Sequence, residues 1–313
     1  MTTQVKDFAR VFILGCGDIG SRVALRWQQQ NGLPITGLVR SQASAERLRQ
    51  QGIDALVLDL DQPPADDSVT IQAKLTLQQA LIYYFAPPPK AGEQDTRMLH
   101  FLQLPDRIQK PARIIYLSTS GVYGDQAGHL IDEDTPPRPV AARAKRRYFA
   151  EQAVRQWGEA QQVPVITLRT GGIYAPDRLP LKRIRDQLPM IHEHLAPTTN
   201  RIHADDLAQA CVAAANKGRA GRIYNISDGT PSNMTEYFNT IADYFGLPRP
   251  PTIDWREAEK QLSPSMLSYL RESRQLDNRR MLEELGVQLQ YPDLQRGLAS
   301  CRPDTNHQKM PSA

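Results

Sequence analysis

Through the first two thirds of the chain, short apolar runs at 11–14, 35–39, 55–58, 81–85, 114–117, 163–168 and 223–226 alternate with helical patterns. Continuous rather than alternating apolar character marks strands buried on both faces, and the intervening helices mark crossover connections. The pattern predicts a parallel sheet covered on both sides. Between the first two runs, Val23, Ala24 and Trp27 share one face of a helix predicted over 21–30, and Asn31-Gly32 stops it. That is one complete βαβ unit.

From about Gly171 the rhythm loosens. Prolines at 176, 180, 189 and 197 cut the chain into short pieces around a polar helix predicted at 181–187. A strong helix is predicted at 205–217, and the stretches 233–245 and 263–285 read as mostly helical. The expected division is a sheet domain at 1–170, with 201–228 returning to it. A smaller lobe is expected from 171–200 and 229–301, over the carboxyl ends of the strands, and 302–313 reads as a disordered polar tail.

The first run leads straight into Gly15-Cys16-Gly17-Asp18-Ile19-Gly20 and then the first helix. Gly15 permits the tight turn, Gly17 lets the backbone approach a diphosphate, and Gly20 allows close helix-strand packing while the helix N-terminus favours an anion. The strand-turn-helix setting predicts a dinucleotide site, and a simple glycine-rich turn is the bland alternative. An NAD-type site would carry Asp or Glu at the end of the second strand, where this chain has Arg40-Ser41. A guanidinium and a hydroxyl suit a 2′-phosphate that a carboxylate would repel, so NADP is favoured over NAD. After the third run, Asp59 and Leu60 are candidates for the adenine.

The composition is that of a globular protein: 313 residues, 40% hydrophobic and 23% charged. No apolar run nears the roughly 18 residues of a membrane span. The net charge of +4 is small and spread along the chain, which argues against nucleic-acid or membrane partners. Three cysteines, at 16, 211 and 301, have no metal-ligand spacing, so no metal, no disulfide framework and a reducing, cytoplasmic setting are expected.

Taken together these segments resemble the extended short-chain dehydrogenase/reductase family, the NAD-dependent epimerase/dehydratase group. The resemblance spans nearly the whole chain through four further stretches: Ala86-Pro87-Pro88, the Ser118-Thr119-Ser120-Gly121-Val122-Tyr123-Gly124 segment, Leu168 through Tyr174 to Pro176, and Arg201-Ile202-His203-Ala204-Asp205-Asp206. The closing segment from Asp277 to Gly286 is similar as well. The resemblance implies an α/β, Rossmann-like doubly wound parallel sheet with a smaller, mostly helical C-terminal substrate lobe. It implies Asp59 and Leu60 beside adenine, Ala86 and Pro87 along the cofactor, and Gly172 to Tyr174 beside the nicotinamide. Thr119, with Ser118 and Ser120, would support the substrate oxygen, because a hydroxyl both donates and accepts. A homodimer formed through a helical pair is also implied.

One departure stands out. Where that family carries Tyr-x-x-x-Lys, this chain has Arg143-Ala144-Lys145-Arg146-Arg147. Taking Lys145 as the lysine puts Ala141 at the tyrosine position, and taking Arg147 puts Arg143 there; the family's glutamate four residues after the lysine matches Glu151 and favours the second register. Arg147 can bond the nicotinamide ribose, whereas Arg143 stays protonated and has no acceptor for a proton. Tyr123, Tyr174 and His203 are the alternative acid/base groups, each with a packing role as the bland reading. The cluster from Arg143 to Arg147 would also suit an anion or a partner, with Lys145 and Arg146 read as a solvated helix face. Nucleotide-sugar members commonly hold the substrate diphosphate with an arginine before the His-x-x-Asp segment, a role Arg201 would fill only after a shift in register, and Asp205 or Asp206 is expected to cap the helix that follows.

The expectation is an atypical NADP-preferring oxidoreductase or sugar-nucleotide epimerase relative, with a small-molecule substrate and altered proton transfer. The rival is a non-catalytic protein that binds or senses NADP(H).

Overall fold

The computed structural model describes residues 8–63, 76–104 and 109–301; the expected disordered tail lies outside them. Seven strands form one parallel sheet: β1 (Arg10–Leu14), β2 (Ile35–Val39), β3 (Asp54–Val57), β4 (Ala80–Tyr84), β5 (Arg113–Thr119), β6 (Val165–Thr170) and β7 (Ile223–Ile226). Each of the seven apolar runs is a strand, shifted by no more than two residues at the leading end. The spatial order is β7-β6-β5-β4-β1-β2-β3. It reverses between β1 and β4, and in such a sheet the crevice at the carboxyl ends of those strands receives the ligand.

Alternate residues of each strand feed two cores. Val11, Ile13, Leu81, Tyr83, Ile115, Ile166 and Ile226 face α1 (Asp18–Asn31) and α2 (Gln42–Gln50). Phe12, Leu14, Ile82, Tyr84, Ile114 and Tyr116 face α3 (Thr96–Gln103) and α4 (Ala142–Gln161). Trp27 on α1 is fully buried, and its indole donates to the Tyr83 hydroxyl at 2.8 Å, which satisfies the one polar atom such a ring carries inward.

The rest of the chain contributes α5 (Leu181–Arg185), α6 (Ala204–Lys217), α7 (Met234–Tyr244), α8 (Trp255–Gln261), α9 (Pro264–Leu270), α10 (Arg279–Leu285) and α11 (Leu294–Ala299). Helix α6 returns to pack beside α1 in the first core. A separate apolar cluster joins Tyr174, Ile184, Met190, Tyr237, Phe238 and Leu298. The stretch read as mostly helical over 263–285 breaks between α9 and α10. There Gln275–Leu276 pairs with Leu130–Ile131, and the Leu276 N–H donates to the Asn200 side chain at 2.8 Å. That extended link is set by partners more than 70 residues away, which local periodicity does not register.

The start of α6 differs from expectation. His203, not Asp205 or Asp206, is the cap: its Nδ1 accepts from the Asp205 N–H at 3.2 Å. Asp205 instead binds Arg22 at 2.6 Å, and the fully buried Asp206 accepts from the N–H groups of Gln290 and Tyr291 at 2.9 and 2.8 Å. Both carboxylates are committed to distant chain segments, so the imidazole takes the free helical donor.

Candidate functional site

The turn from β1 into α1 fits a dinucleotide for reasons visible in its backbone. Gly15 has φ +74°, and a Cβ there would stand 2.5 Å from the Ala86 backbone nitrogen. A Cβ on Gly20 would press on Ile13 and Cys16 at 3.0 and 3.1 Å. Gly17 is different: a Cβ there meets nothing closer than 4.0 Å, so its surface opens onto the crevice. Gly15 and Gly20 are therefore glycine for packing, and Gly17 leaves room for something outside the chain. Cys16 and Ile19 are buried behind the turn.

Beside it a cavity of about 230 Å³ gathers Gly15, Arg40, Asp59, Leu60, Ala86, Pro87 and Arg97. Asp59 faces its own turn, accepting from the Asp61 N–H at 2.9 Å. Ser41 caps α2 by accepting from the Ser44 N–H at 3.3 Å. Arg97, absent from every motif, binds Asp61 through two bonds of 2.5 and 2.8 Å and the Pro87 carbonyl at 2.8 Å. Arg40 reaches the same Asp61 at 3.4 Å and is largely exposed. The forked Arg97 contact thus neutralises the acid closest to Arg40.

A second, larger cavity of about 620 Å³ adjoins the carboxyl ends of β5 and β6. It brings together Ser118, Thr119, Ser120, Arg143, Arg147, Gly172 and Tyr174, all expected at the site, and Arg201, with Arg178, Tyr237, Tyr269, Glu272 and Arg274, to which no motif pointed. The Thr119 hydroxyl accepts from the Gly121 N–H at 3.2 Å, which leaves its proton free to donate into the cavity. The Ser118 hydroxyl is buried with no protein partner among the described residues, an orphan that a bound molecule would satisfy. Arg147 donates to the carbonyls of Ala86 at 3.3 Å and Leu117 at 3.1 Å, which anchors it across the ends of β4 and β5.

The remaining cations of the 143–147 run are not a free helix face. Arg146 is buried and donates to the Gly92 carbonyl at 2.6 Å, and Lys145 pairs with Glu93 at 2.7 Å. With Arg147 on Ala86, three successive side chains of α4 fasten the segment after β4, which corrects the solvated-face expectation for Arg146 outright. Arg143 bonds the Ser268 hydroxyl and stacks on Tyr269, with its central carbon 3.7 Å from the ring centroid. Four residues beyond Arg147, Glu151 binds Arg169 on β6 at 2.7 Å, with both side chains at most 6% exposed.

None of the three alternative acid/base groups faces the cavity with a free functional atom. Tyr123 is fully buried, donates to Asn225 at 2.7 Å, and burial pushes its hydroxyl up to about 12. Tyr174 turns its hydroxyl to the Asp293 carbonyl at 3.4 Å, and burial raises it further still. His203 is 1% exposed, and its Nε2 lies 3.2 Å from the Ser300 hydroxyl with Asp205 3.7 Å from Nδ1. This resembles a hydrolytic triad but cannot act as one. Nδ1 accepts a backbone N–H and so bears no proton, which leaves Nε2 as the donor to Ser300 rather than its base.

Arg201 is the cavity's most buried cation. It is held by Ser232, Thr199 and the Asn233 carbonyl and stacks on Tyr237 at 4.1 Å, and among the described residues no carboxylate lies within 4 Å of it. Burial pulls its guanidinium below the ordinary value. Nearby, burial pushes the Asp228 carboxyl up from 3.8 to about 7. The folded chain then holds a proton that the unfolded chain releases, so this group's stabilisation is complete below about pH 4 and is lost as pH rises through about 7. Asp228→Asn, which keeps the acceptor for the Thr230 N–H, is expected to flatten the decline in melting temperature over that window. Calorimetric scans at stepped pH check this, and identical profiles for the two proteins would refute it.

Among the described residues, no helix is long and apolar enough to cross a membrane and no three metal-ligating side chains stand together. Comparison with known proteins agrees with the arrangement. Protein YeeZ of Escherichia coli K12 is 26% identical over 291 residues, covering 91% of this chain and 97% of its own. A functionally unknown conserved protein from Silicibacter pomeroyi DSS superposes with a TM-score of 0.77 at 29% identity, over 94% of this chain and 98% of its own. The UDP-glucuronic acid 4-epimerase of Bacillus cereus, in complex with NAD, shares the fold with a TM-score of 0.72 at 17% identity, over 93% and 96%. Residues 11–227, from β1 to the end of β7, match the family model directly, and the chain belongs to the NAD dependent epimerase/dehydratase family.

Proposed function

We propose that this chain binds NADP(H) in preference to NAD(H) along the β1–α1 turn and takes an anionic small molecule, of sugar-nucleotide type, in the adjoining cavity. There it acts as an oxidoreductase or epimerase relative without a tyrosine proton donor. The observation that carries this reading is the single cavity in which Ser118, Thr119, Arg147 and the buried Arg201 all stand. A buried guanidinium with no carboxylate within 4 Å is costly unless an anion completes it, and Asp228 acts on it only from farther off.

When bound, the nicotinamide supplies or accepts hydride. The chain's own residues do the rest in this reading. Arg147 bonds the ribose hydroxyls with the donors its backbone contacts leave free, and Thr119 and Ser118 donate to the substrate oxygen. Residues 171–200 and 229–301 form the lobe that covers the substrate, with Arg201 on its charged group.

NADP preference rests on Arg40, which faces a carboxylate already neutralised by Arg97. Arg40→Ala is expected to weaken NADPH by roughly tenfold while changing NADH less than twofold, since a charge-assisted contact of this kind is worth about 1.5 kcal/mol. Calorimetric titration with both nucleotides reads this directly, and equal weakening of the two would end the 2′-phosphate assignment. Adding sugar nucleotides and ketones to the bound protein while following nicotinamide absorbance tests turnover, and light scattering tests the homodimer.

A second reading has its own support. Arg143 is tied to Ser268 and Tyr269, and Tyr123, Tyr174 and His203 are bonded elsewhere. A non-catalytic NADP(H)-binding protein would need none of them. Tight nucleotide binding without absorbance change across the substrate panel favours it.

A further inference from the structure

Asp18 stands in an unexpected place for a carboxylate. It is the first residue of α1, directly after Gly17, where a dinucleotide's diphosphate would approach. Like charge there works against binding unless a cation accompanies the phosphate. Two arginines attend it. Arg22, one turn along α1, bonds Asp18 at 2.7 Å and Asp205 at 2.6 Å and has Asp177 at 3.9 Å, so its charge is shared among three acids.

Arg178 is the other. It reaches Asp18 at 2.9 Å from 160 positions away, on the short turn Pro176–Arg178 that opens the lobe segment after Tyr174. Burial opposes ionisation of Asp18, but the bonds from Arg178 and Arg22 outweigh it and hold the carboxyl below its ordinary range. The bond to Asp18 is Arg178's one polar contact among the described residues, its side chain is 37% exposed, and it lines the 620 Å³ cavity. Asp205, Arg22 and Asp18 form a chain in which one cation already serves both acids, and Arg178 ends it with most of its donors unspent.

We infer that Arg178 is a diphosphate receptor delivered by the substrate lobe, held over the glycine turn by Asp18, so that dinucleotide binding fixes the lobe segment it comes from. The inference rests on the dinucleotide reading above. Asp18 aims the guanidinium at the diphosphate and is in turn shielded from it. The same guanidinium borders the substrate cavity, so it joins the two sites.

The test is calorimetric titration of the full-length protein with NADPH and NADH for the wild type, Arg178→Gln, Arg178→Lys and the double variant Asp18→Asn/Arg178→Gln. Arg178→Gln is expected to weaken both nucleotides at least tenfold, Arg178→Lys to lose less, and the double variant to recover threefold or more over Arg178→Gln, because the unshielded carboxylate is gone. Hydrogen exchange supplies a readout that affinity does not: NADPH should protect residues 176–185 in the wild type and leave them unprotected in Arg178→Gln. Arg178→Gln binding within twofold of the wild type, or protection of that segment surviving the substitution, overturns the inference. A double variant no better than Arg178→Gln overturns the part given to Asp18. A wild type that binds neither nucleotide would instead defeat the dinucleotide reading itself.

Discussion

Replacing Glu151 with alanine is expected to cost about 3 to 5 kcal/mol, the usual penalty for stranding one member of a buried ion pair. The melting temperature should fall by roughly 10 °C in a chain of this size. Its partner Arg169 is 3% exposed in its side chain, lies 4.7 Å over the ring of Tyr123, and receives the carboxylate through Nε and Nη2. Among the described residues no other carboxylate lies within 4 Å of it. The double variant Glu151→Leu/Arg169→Met should regain most of the loss, since an apolar pair of similar volume is often as stable as the ion pair it replaces. Thermal denaturation of the three variants gives the coupling directly. A single variant as stable as the wild type would mean that Arg169 finds another counter-ion.

The contrast between Gly15 and Gly17 carries the second large effect. Gly15→Ala places its Cβ 2.5 Å from a backbone nitrogen at φ +74°, and neither backbone can yield without moving a core strand. It should lower stability by about 2 kcal/mol or more and abolish nucleotide binding with it. Gly17→Ala meets no atom inside 4.0 Å, so its melting temperature should stay within a degree or two of the wild type. In the proposed dinucleotide site its methyl nevertheless stands where the diphosphate would approach, and binding of NADPH should fall by roughly a hundredfold, about 2.7 kcal/mol. Melting curves paired with titrations separate the two. If Gly17→Ala binds normally, the crevice is not where the diphosphate lies.

The seven strands were legible because all but the edge strand β3 are largely buried on both faces, and such a strand needs an unbroken apolar run, a signal carried by four or five adjacent residues. The glycine turn was legible because backbone geometry demands glycine at fixed spacing. Helices α8 and α11 were not read: each begins at an aspartate cap, Asp254 and Asp293, but at seven and six residues they are too short to show a period. Two of the cations at the site were not legible for a different reason. Arg97 and Arg178 belong to no motif, and each matters through a partner far away in sequence. Even Arg146, read as solvated, is buried because the Gly92 carbonyl, 54 positions earlier, folds back onto α4.

Cys16 sits in the middle of the glycine turn, yet Gly20 and Gly37 press on its sulfur so closely that a Cβ on either would come within 3.1 Å of it. Burial pushes the thiol up to about 12, so at neutral pH it stays protonated. Oxidants and electrophiles attack the thiolate, and this one is both scarce and covered. The turn thereby carries a cysteine that oxidants reach poorly, and the fold achieves this with two neighbouring hydrogens in place of side chains.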